Sequence, residues 1–548
     1  MYRFRSGNFW PVQLSCFRDR RLDNCTLRWL HEVALIHKAL GHDKYTLFYY
    51  ESLTSTAWLI YGMLITMPPG ATITARAESP LYIQIAEAMV QQVARGALRP
   101  GDRVPSLRQL SRQQHVSVTT ALQAYIWLEN RGYLEARPQS GFYVRTPFAK
   151  LIPEPQFEAN LSKPIVLGNN AVLAGIIEAA ADPANVPFGA GCISPELFPN
   201  RKLNLILREI VRQQPMHSAS YQFPPGLEGL RHQIARRAFA AGCRVSPRDV
   251  VITSGAQEAI NLSLRAVARP GDVIAVESPT YFGILQGAAA LKMKVFEIST
   301  HPRAGMDLDE LEHAIQKHSV KACVVMTNCH NPLGYVLPDS HKEALVELTA
   351  RRNVAVIEDD LYGDLAFDGP RPLTAKYFDR KGLVLLCSSV SKALSPGYRI
   401  GWVFAGRFRA EVERLKLIAS MAAPSLAQGV VAKFLSSGSY DRYLKRLRAN
   451  LAGQVETLRQ AAFRCFPNGT RISRPAGGHM LWIELPAKID AMKLWRAALN
   501  EHISILPGPI FSAAGRYKNH IRLNAGITPT AAHHRALATL GRLCADRA

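Results

Sequence analysis

The chain lacks a Cys-x-x-Cys pair. Its nine cysteines, Cys16, Cys25, Cys192, Cys243, Cys323, Cys329, Cys387, Cys465 and Cys544, are odd in number and dispersed. That pattern excludes a disulfide scaffold and zinc-ligand spacing. With no secretory signal in view it predicts reduced thiols in a cytoplasm and no bound metal, even though His330 sits beside Cys329. Long hydrophobic runs are also missing. The strongest, Ala57 to Met67, is shorter than the roughly 20 residues needed to span a bilayer, and no small-residue cleavage pattern follows it, so no membrane role is expected. The stretch from Met1 to about Ala77 carries no readable motif, and translation starting at Met63 or Met67 is an alternative that would leave residues 1–62 or 1–66 untranslated. No internal repeat or heptad array is evident, which excludes a solenoid or a long coiled coil. Acidic residues are scarce beside basic ones, 43 against 66, and the net charge of +23 favours a polyanionic partner.

What is present centres on one lysine. Ser389-Val390-Ser391-Lys392 follows the apolar run Gly382 to Cys387 and leads to Pro396-Gly397-Tyr398-Arg399, which predicts a strand ending in a loop with hydroxyls, an amine and a guanidinium. Such an amine can form an imine with pyridoxal 5'-phosphate. Desolvation and neighbouring positive charge favour its neutral form, while Ser389, Ser391 and Arg399 can hold a phosphate dianion. The competing reading is a surface lysine in a turn.

The other groups such a site requires occur elsewhere in the chain. Val354 to Asp359 reads as a buried strand ending in acid, and Asp359-Asp360-Leu361-Tyr362 places a carboxylate and a phenol one helical turn apart. Asp359 can keep a pyridine nitrogen protonated; Tyr362, and Asn331 in Asn331-Pro332-Leu333-Gly334, can bond the ring's phenolate oxygen. Taken alone, the Asp pair can equally cap a helix or bind a metal. Val250 to Thr253 followed by Ser254-Gly255-Ala256-Gln257 reads as a strand, a tight turn and a helix start, which aims backbone N–H groups at an anion. Tyr281, just past another strand, can stack on a pyridine face, with Phe282 as its competitor.

From about Asn185 onward the chain resembles a fold-type I, class I aminotransferase domain, most specifically in its Ser-Val-Ser-Lys…Arg and Asp-x-x-Tyr elements. The resemblance implies that Tyr221 reaches the phosphate of a neighbouring subunit, hence a homodimer, and that Arg522 clamps a substrate α-carboxylate through its planar fork. Alternating strands and helices predict an α/β fold with a mostly parallel sheet and a smaller C-terminal lobe from about Ser425, the cofactor lying between the lobes.

A second module precedes it. Pro80 to Ala94 repeats apolar residues at helical spacing, Ser106 can cap a short helix over 107–114, and Val118 to Asn130 predicts a second helix of a helix-turn-helix. Thr119, Thr120 and Gln123 are offered to a groove, with Ala121, Leu122, Ala124, Tyr125 and Leu128 as packing residues, and Gly132 to Arg145 predicts a hairpin wing. The Pro105-Ser-Leu-Arg-Gln-Leu110 signature and the Ser140-Gly141-Phe-Tyr-Val144 wing resemble the winged helix-turn-helix of GntR regulators. Fused to an aminotransferase-like domain, the whole is similar to the MocR subfamily. That resemblance implies DNA contacts from Arg103, Ser106, Arg108, Ser117, Thr119, Thr120 and Gln123, with Gly141 at the wing tip near the minor groove. Val118 departs from the family, which often has arginine there.

The expected organisation is an unassigned extension over 1–77, the DNA-binding module over 78–146, a linker over 147–184 made extended by Pro147, Pro153, Pro155 and Pro164, and the aminotransferase-like domain over 185–548. The fusion predicts a regulator that binds double-stranded DNA and senses an amino acid, an amine or pyridoxal phosphate itself. The alternative is a working aminotransferase with an accessory DNA-binding module.

Overall fold

The computed structural model describes residues 80–547 apart from 95–96, 99–100, 131–132, 138–139, 145–151, 158–162 and 169–170. The N-terminal extension, its apolar stretch and the alternative starts at Met63 and Met67 lie outside the described residues.

The small module forms as its apolar spacing dictates. Helices α1 (Leu81–Ala94), α2 (Leu107–Gln113) and α3 (Val118–Asn130) pack around Ile85, Ala86, Met89, Leu110, Ala121, Ala124, Tyr125 and Leu128, which are buried. Ser106 starts α2 by accepting the Gln109 N–H at 3.3 Å, and Ser117 starts α3 by accepting the Thr120 N–H at 3.0 Å. Strands β1 (Leu134–Arg137) and β2 (Gly141–Val144) pair antiparallel as the wing, and an isolated bridge from Arg103 to Tyr143 adds the connector as a third rung. Tyr125 ties helix to wing: its hydroxyl donates to the Pro105 carbonyl at 2.6 Å and its ring meets Phe142 edge-on. One expectation fails here. Leu122 is 38% exposed and is no part of the packing face.

The large module is built on a nine-stranded sheet. Its strands are β3 (Ile165–Val166), β4 (Val250–Thr253), β5 (Val273–Ser278), β6 (Lys294–His301), β7 (Gly305–Met306), β8 (Ala322–Val325), β9 (Ala355–Asp359), β10 (Val384–Ser389) and β11 (Gly401–Phe404). They run in the order β3-β6-β5-β8-β9-β10-β11-β4, with β7 beside β6. The pairs from β6 through β10 are parallel, and the pairs that β10, β11 and β4 make at one edge are antiparallel. The parallel strands are buried along nearly their whole lengths rather than on alternate residues, as strands covered on both faces are. Helices α4 (Ala256–Val267) and α5 (Phe282–Ala290) follow β4 and β5 directly. A smaller antiparallel sheet of β12 (Arg471–Ile472), β13 (Met480–Glu484), β14 (Leu506–Pro507) and β15 (His520–Asn524) packs with α6 (Ser439–Cys465) and α7 (Ala531–Ala545) as the C-terminal lobe.

The stretch expected to be a linker is largely packed where it is described. Ile152 is buried in the C-terminal lobe, the Pro153 carbonyl accepts the Ile472 N–H at 2.8 Å, and β3 adds an antiparallel edge to β6. A helix over Ala171–Ala181 seats Leu173 and Ile176 in the same core. Prolines do extend this segment, but long-range burial holds it down.

Candidate functional site

The groups singled out in the sequence gather at the carboxyl ends of β4, β5, β8, β9 and β10, the edge at which an open α/β sheet offers its crevice. Lys392 lies three residues past the end of β10, and its amine donates to the Gly191 carbonyl at 2.5 Å. Burial pushes that amine's pKa down, and Arg522 and Arg399 add to the shift, while Cys192 and Asp359 oppose it. The net effect favours the neutral, nucleophilic form.

Two neighbouring acids at the end of β9 face different environments. Asp359 is buried, and one of its oxygens accepts the Leu361 N–H at 3.2 Å; burial first, then the charge of Asp360, pushes its pKa up to about 7. A carboxyl held in that condition is ready for a cationic partner. Asp360 already has one: it takes the Arg371 guanidinium and, at 3.0 Å, the Asn328 side-chain N–H. Arg371 also donates to Asp364 at 2.7 Å, and the Tyr440 hydroxyl donates to the same acid at 2.8 Å. The geometry thus separates Asp359, aimed at the crevice, from Asp360, committed to a buried ion network. Tyr362 does not lie one helical turn along from Asp359 as expected, because β9 ends in an irregular turn that places the phenol against His479, ring centroids 5.6 Å apart. Burial pushes the Tyr362 hydroxyl pKa up, so the group stays a neutral donor.

Asn331 is buried, and its Oδ1 has no hydrogen-bond partner. Its loop is braced from behind by Glu277, which accepts from the Tyr335 hydroxyl and from the Met326 N–H at 2.8 Å. Tyr281 caps the front of α5 and its ring packs on Phe282, centroids 4.7 Å apart. Gln257 fixes this corner by donating to the Gly283 carbonyl at 3.0 Å.

At the phosphate end, Gly255 precedes α4 with φ of 94°, and a Cβ there would lie 2.4 Å from Nη2 of Arg399. Only glycine meets both demands. Arg399, itself at φ 52°, donates to the Ser254 carbonyl at 3.0 Å and to Ser391 Oγ at 3.4 Å; Ser389 Oγ accepts the Ser391 N–H at 3.1 Å. The N–H of Ser254 is taken by Glu258 at 2.6 Å, which leaves Gly255, Ala256 and Gln257 to supply the helix-start donors.

Arg522, in the middle of β15, donates to the carbonyls of Gly189 at 2.6 Å and Ala190 at 3.3 Å, while its buried Nε has no partner. His479 is fully buried, its Nε2 lies 3.4 Å from the Gly191 carbonyl and its Nδ1 has no partner. Burial first, then Lys392 and Arg522, hold its pKa well below the usual imidazole value. The donor set, the three orphaned polar atoms and the glycine at the anion turn suit an anionic, aromatic aldehyde cofactor and a carboxylate ligand. Tyr221 stands apart, 68% exposed beside Phe223.

In the small module the expected DNA contacts are largely open to solvent. Arg103, Arg108, Ser117, Thr119, Gln123 and Gly141 are exposed, and Thr120 is half-buried. The Arg103 guanidinium lies over Gly141, so connector and wing tip present one cationic edge. Ser106 and Ser117 spend their oxygens as helix caps and Ser117 also meets the Thr120 hydroxyl at 2.8 Å, so these hydroxyls set the helix starts before they meet any ligand.

The model for bacterial regulatory proteins of the gntR family matches residues 81–144, and that for aminotransferase class I and II matches residues 199–539. The HTH-type transcriptional regulator YdcR of Escherichia coli is 41% identical over 471 residues, covering 85% of this chain and 99% of that protein. The chain belongs to the MocR-type GntR regulators. A second Escherichia coli HTH-type transcriptional regulator, YjiR, is 35% identical over 84% of this chain and 98% of its own length. The alpha-aminoadipate aminotransferase LysN of Thermus thermophilus, crystallised with N-(5'-phosphopyridoxyl)-L-leucine, superposes with a TM-score of 0.64 at 26% identity, covering 69% of this chain and 95% of that one. This MocR-type chain is therefore a DNA-binding transcriptional regulator whose second half has the aminotransferase fold.

Sequence reasoning missed the Gly189–Cys192 shelf, which receives Arg522, Lys392, His479 and, at the Cys192 carbonyl, Asn524 at 2.8 Å. Its residues bring backbone oxygens rather than side-chain chemistry, and they lie 201 positions from Lys392. Only the two glycines of Gly189-Ala190-Gly191 hint at the close approach. His479 carries no local sequence signal that marks it.

Proposed function

We propose that the large module holds pyridoxal 5'-phosphate at Lys392 and serves this regulator as its sensor for an amino acid, an amine or the cofactor itself, in a cytoplasmic homodimer. The observation that carries the reading is the set of a neutral-leaning amine, a raised carboxyl and two orphaned polar atoms, on Asn331 and Arg522, around one crevice. When bound, pyridoxal phosphate supplies an aldehyde that condenses with an amine and a ring that withdraws electrons from it. Lys392 would hold the aldehyde carbon, Arg399 and the N–H groups of Gly255, Ala256 and Gln257 the phosphate, Asp359 the ring nitrogen and its proton. Tyr362 and Asn331 would hold the ring's oxygen, and Tyr281 its face. Arg522 turns its guanidinium toward the same crevice from the C-terminal lobe, so a ligand carboxylate there would bridge the two lobes and favour their closure. Tyr221, exposed, is available to a second copy of the chain.

A second reading is retained transamination. It is favoured by the completeness of the set, since Lys392, Asp359, Tyr362, Asn331, Arg399 and Arg522 are all present in the chain and Lys392 can carry a proton once its amine is released. Incubation with a panel of amino donors and keto acids, followed by keto-acid analysis, tests it; absence of any product counts against it.

The deciding experiment for the main reading is borohydride reduction of full-length protein with pyridoxal phosphate, peptide mapping of the pyridoxyl label, and gel shifts on the chain's own upstream region. Label is expected on Lys392 and is expected to vanish in Lys392→Ala. Label on another lysine, or none, defeats the cofactor assignment; failure to shift any promoter fragment at low salt with cofactor present defeats the regulatory one.

A further inference from the structure

The reading helix carries an apolar line that its own module leaves uncovered. Val118, Leu122 and Ile126 are 48%, 38% and 45% exposed, while Ala121, Ala124, Tyr125 and Leu128 on the opposite side of α3 are buried. Four-residue spacing stacks the three side chains along one face, advancing about 6 Å per step. Beside them, on the same exposed half of the helix, stand Thr119 and Gln123.

Two observations say what covers this line. It begins at Val118, the first residue of α3 after the Ser117 cap, and the first turns of a recognition helix are the part that reaches base edges. A protein partner seated there would block the module's own DNA face. The same module also exposes cations, Arg108 and Arg112 on α2 and Arg103 over the wing tip, a setting matched to phosphate rather than to an apolar protein surface.

We propose that Val118 and Leu122 read thymine through its 5-methyl group in the major groove. The inference rests on the helix-turn-helix reading of residues 81–144 and adds to it the kind of base recognised. Neither side chain can donate or accept a hydrogen bond, so neither distinguishes guanine or cytosine by the polar edges those bases present. The thymine methyl is the apolar feature of the major-groove floor, and contact with it removes both surfaces from water. Thr119 and Gln123 are left to read adjacent base edges by hydrogen bonding, Gln123 with the bidentate geometry that suits adenine. Ile126, farther along the helix, covers the rim of the groove.

The test uses full-length protein with a randomised duplex library, followed by affinity measurement on the selected sequence with single deoxyuridines in place of thymines, which removes the methyl and nothing else. Each substitution opposite Val118 or Leu122 is expected to weaken binding about fourfold, the worth of one buried methyl-sized group. Val118→Ser is expected to abolish the difference between thymine and deoxyuridine at its position, and Val118→Arg to shift the selected base toward guanine. A selected site insensitive to deoxyuridine at every position overturns the inference while leaving DNA binding intact. Library binding with no enriched sequence overturns it as well, and no binding at all overturns the helix-turn-helix reading beneath it. Circular dichroism of the variants separates lost recognition from lost fold.

Discussion

The lysine crevice and the DNA face hold their functional groups in contrasting ways. In the crevice, partners far along the chain fix each side chain: Lys392 meets Gly191, Arg522 meets Gly189, and Arg399 meets Ser254. On the DNA face, Arg103, Arg108, Thr119 and Gln123 stand in solvent, and what fixes them is the helix beneath, started by the Ser106 and Ser117 caps and held by one small apolar core. The first site is thus inseparable from the fold that makes it, whereas the second is a set of side chains displayed on a fold that does not need them. A change in the crevice should register in stability as well as ligand binding, and a change on the face in affinity alone.

The largest expected effect tests the first half of that contrast. Arg371→Leu leaves Asp360 and Asp364 buried without their cation, and the loss expected is about 3–5 kcal/mol in urea unfolding of the full chain. Burial works against ionisation of Asp364, yet Arg371 and Arg237 hold its pKa at about 2. A carboxyl depressed on folding contributes stability that is present above its unfolded pKa and lost as pH falls through its folded one, so wild type should lose this contribution between 3.8 and about 2. An Arg371→Leu chain as stable as wild type would show that the network is decorative.

Asp359 has the opposite sign and a somewhat smaller effect. Its carboxyl, raised from 3.8 to about 7, binds its proton more tightly in the folded chain, so cofactor-free protein should lose stability as pH climbs across that interval. Glu358, also pushed up to about 7 by burial and by Asp360, adds in the same direction. Urea midpoints at acidic and mildly alkaline pH should differ by several tenths molar in the cofactor-free chain, less once pyridoxal phosphate is added, and less in Asp359→Asn. A midpoint that rises with pH over this range would reverse the assignment.

The face should respond more gently. Arg108→Ala is expected to weaken binding to all duplexes alike, with the slope of log affinity against log salt reduced by about one and thermal stability unchanged. Smallest is Ser117→Ala, expected to cost about 1 kcal/mol of small-module stability through the lost cap, measured by hydrogen exchange of α3 amides. If Arg108→Ala instead unfolds the module, the contrast between the two sites is false.

Much of the crevice was legible because its chemistry demands particular residue types at strand ends. Lys392 after an apolar run, Asp359 closing another and Gly255 between strand and helix each announce a role through local pattern. The Asp pair could not be divided that way, since only the distant Arg371 shows which acid is already satisfied. The backbone shelf at Gly189–Cys192 and the imidazole of His479 escaped for the same reason: their roles come from three-dimensional neighbours. Leu122 was assigned to packing by its apolar character, and the actual rotation of α3 turns it outward. Proline content suggested a free tether where Ile152 and Ile176 are in fact buried, because composition reports stiffness and says nothing of what a stiff segment lies against.

That segment's anchorage bears on how the two lobes of the large module hold together. Ile152 is buried in the C-terminal lobe. Beyond it, residues 153–156 clip onto both halves of the large module. The Pro153 carbonyl and the Gln156 N–H grip Ile472 and Glu484 in the C-terminal lobe, and Glu154 pairs with Arg303 at 2.5 Å beside the large sheet. A movement of one half against the other must carry this strip along or break one of its grips, so four residues set a cost on separating the halves.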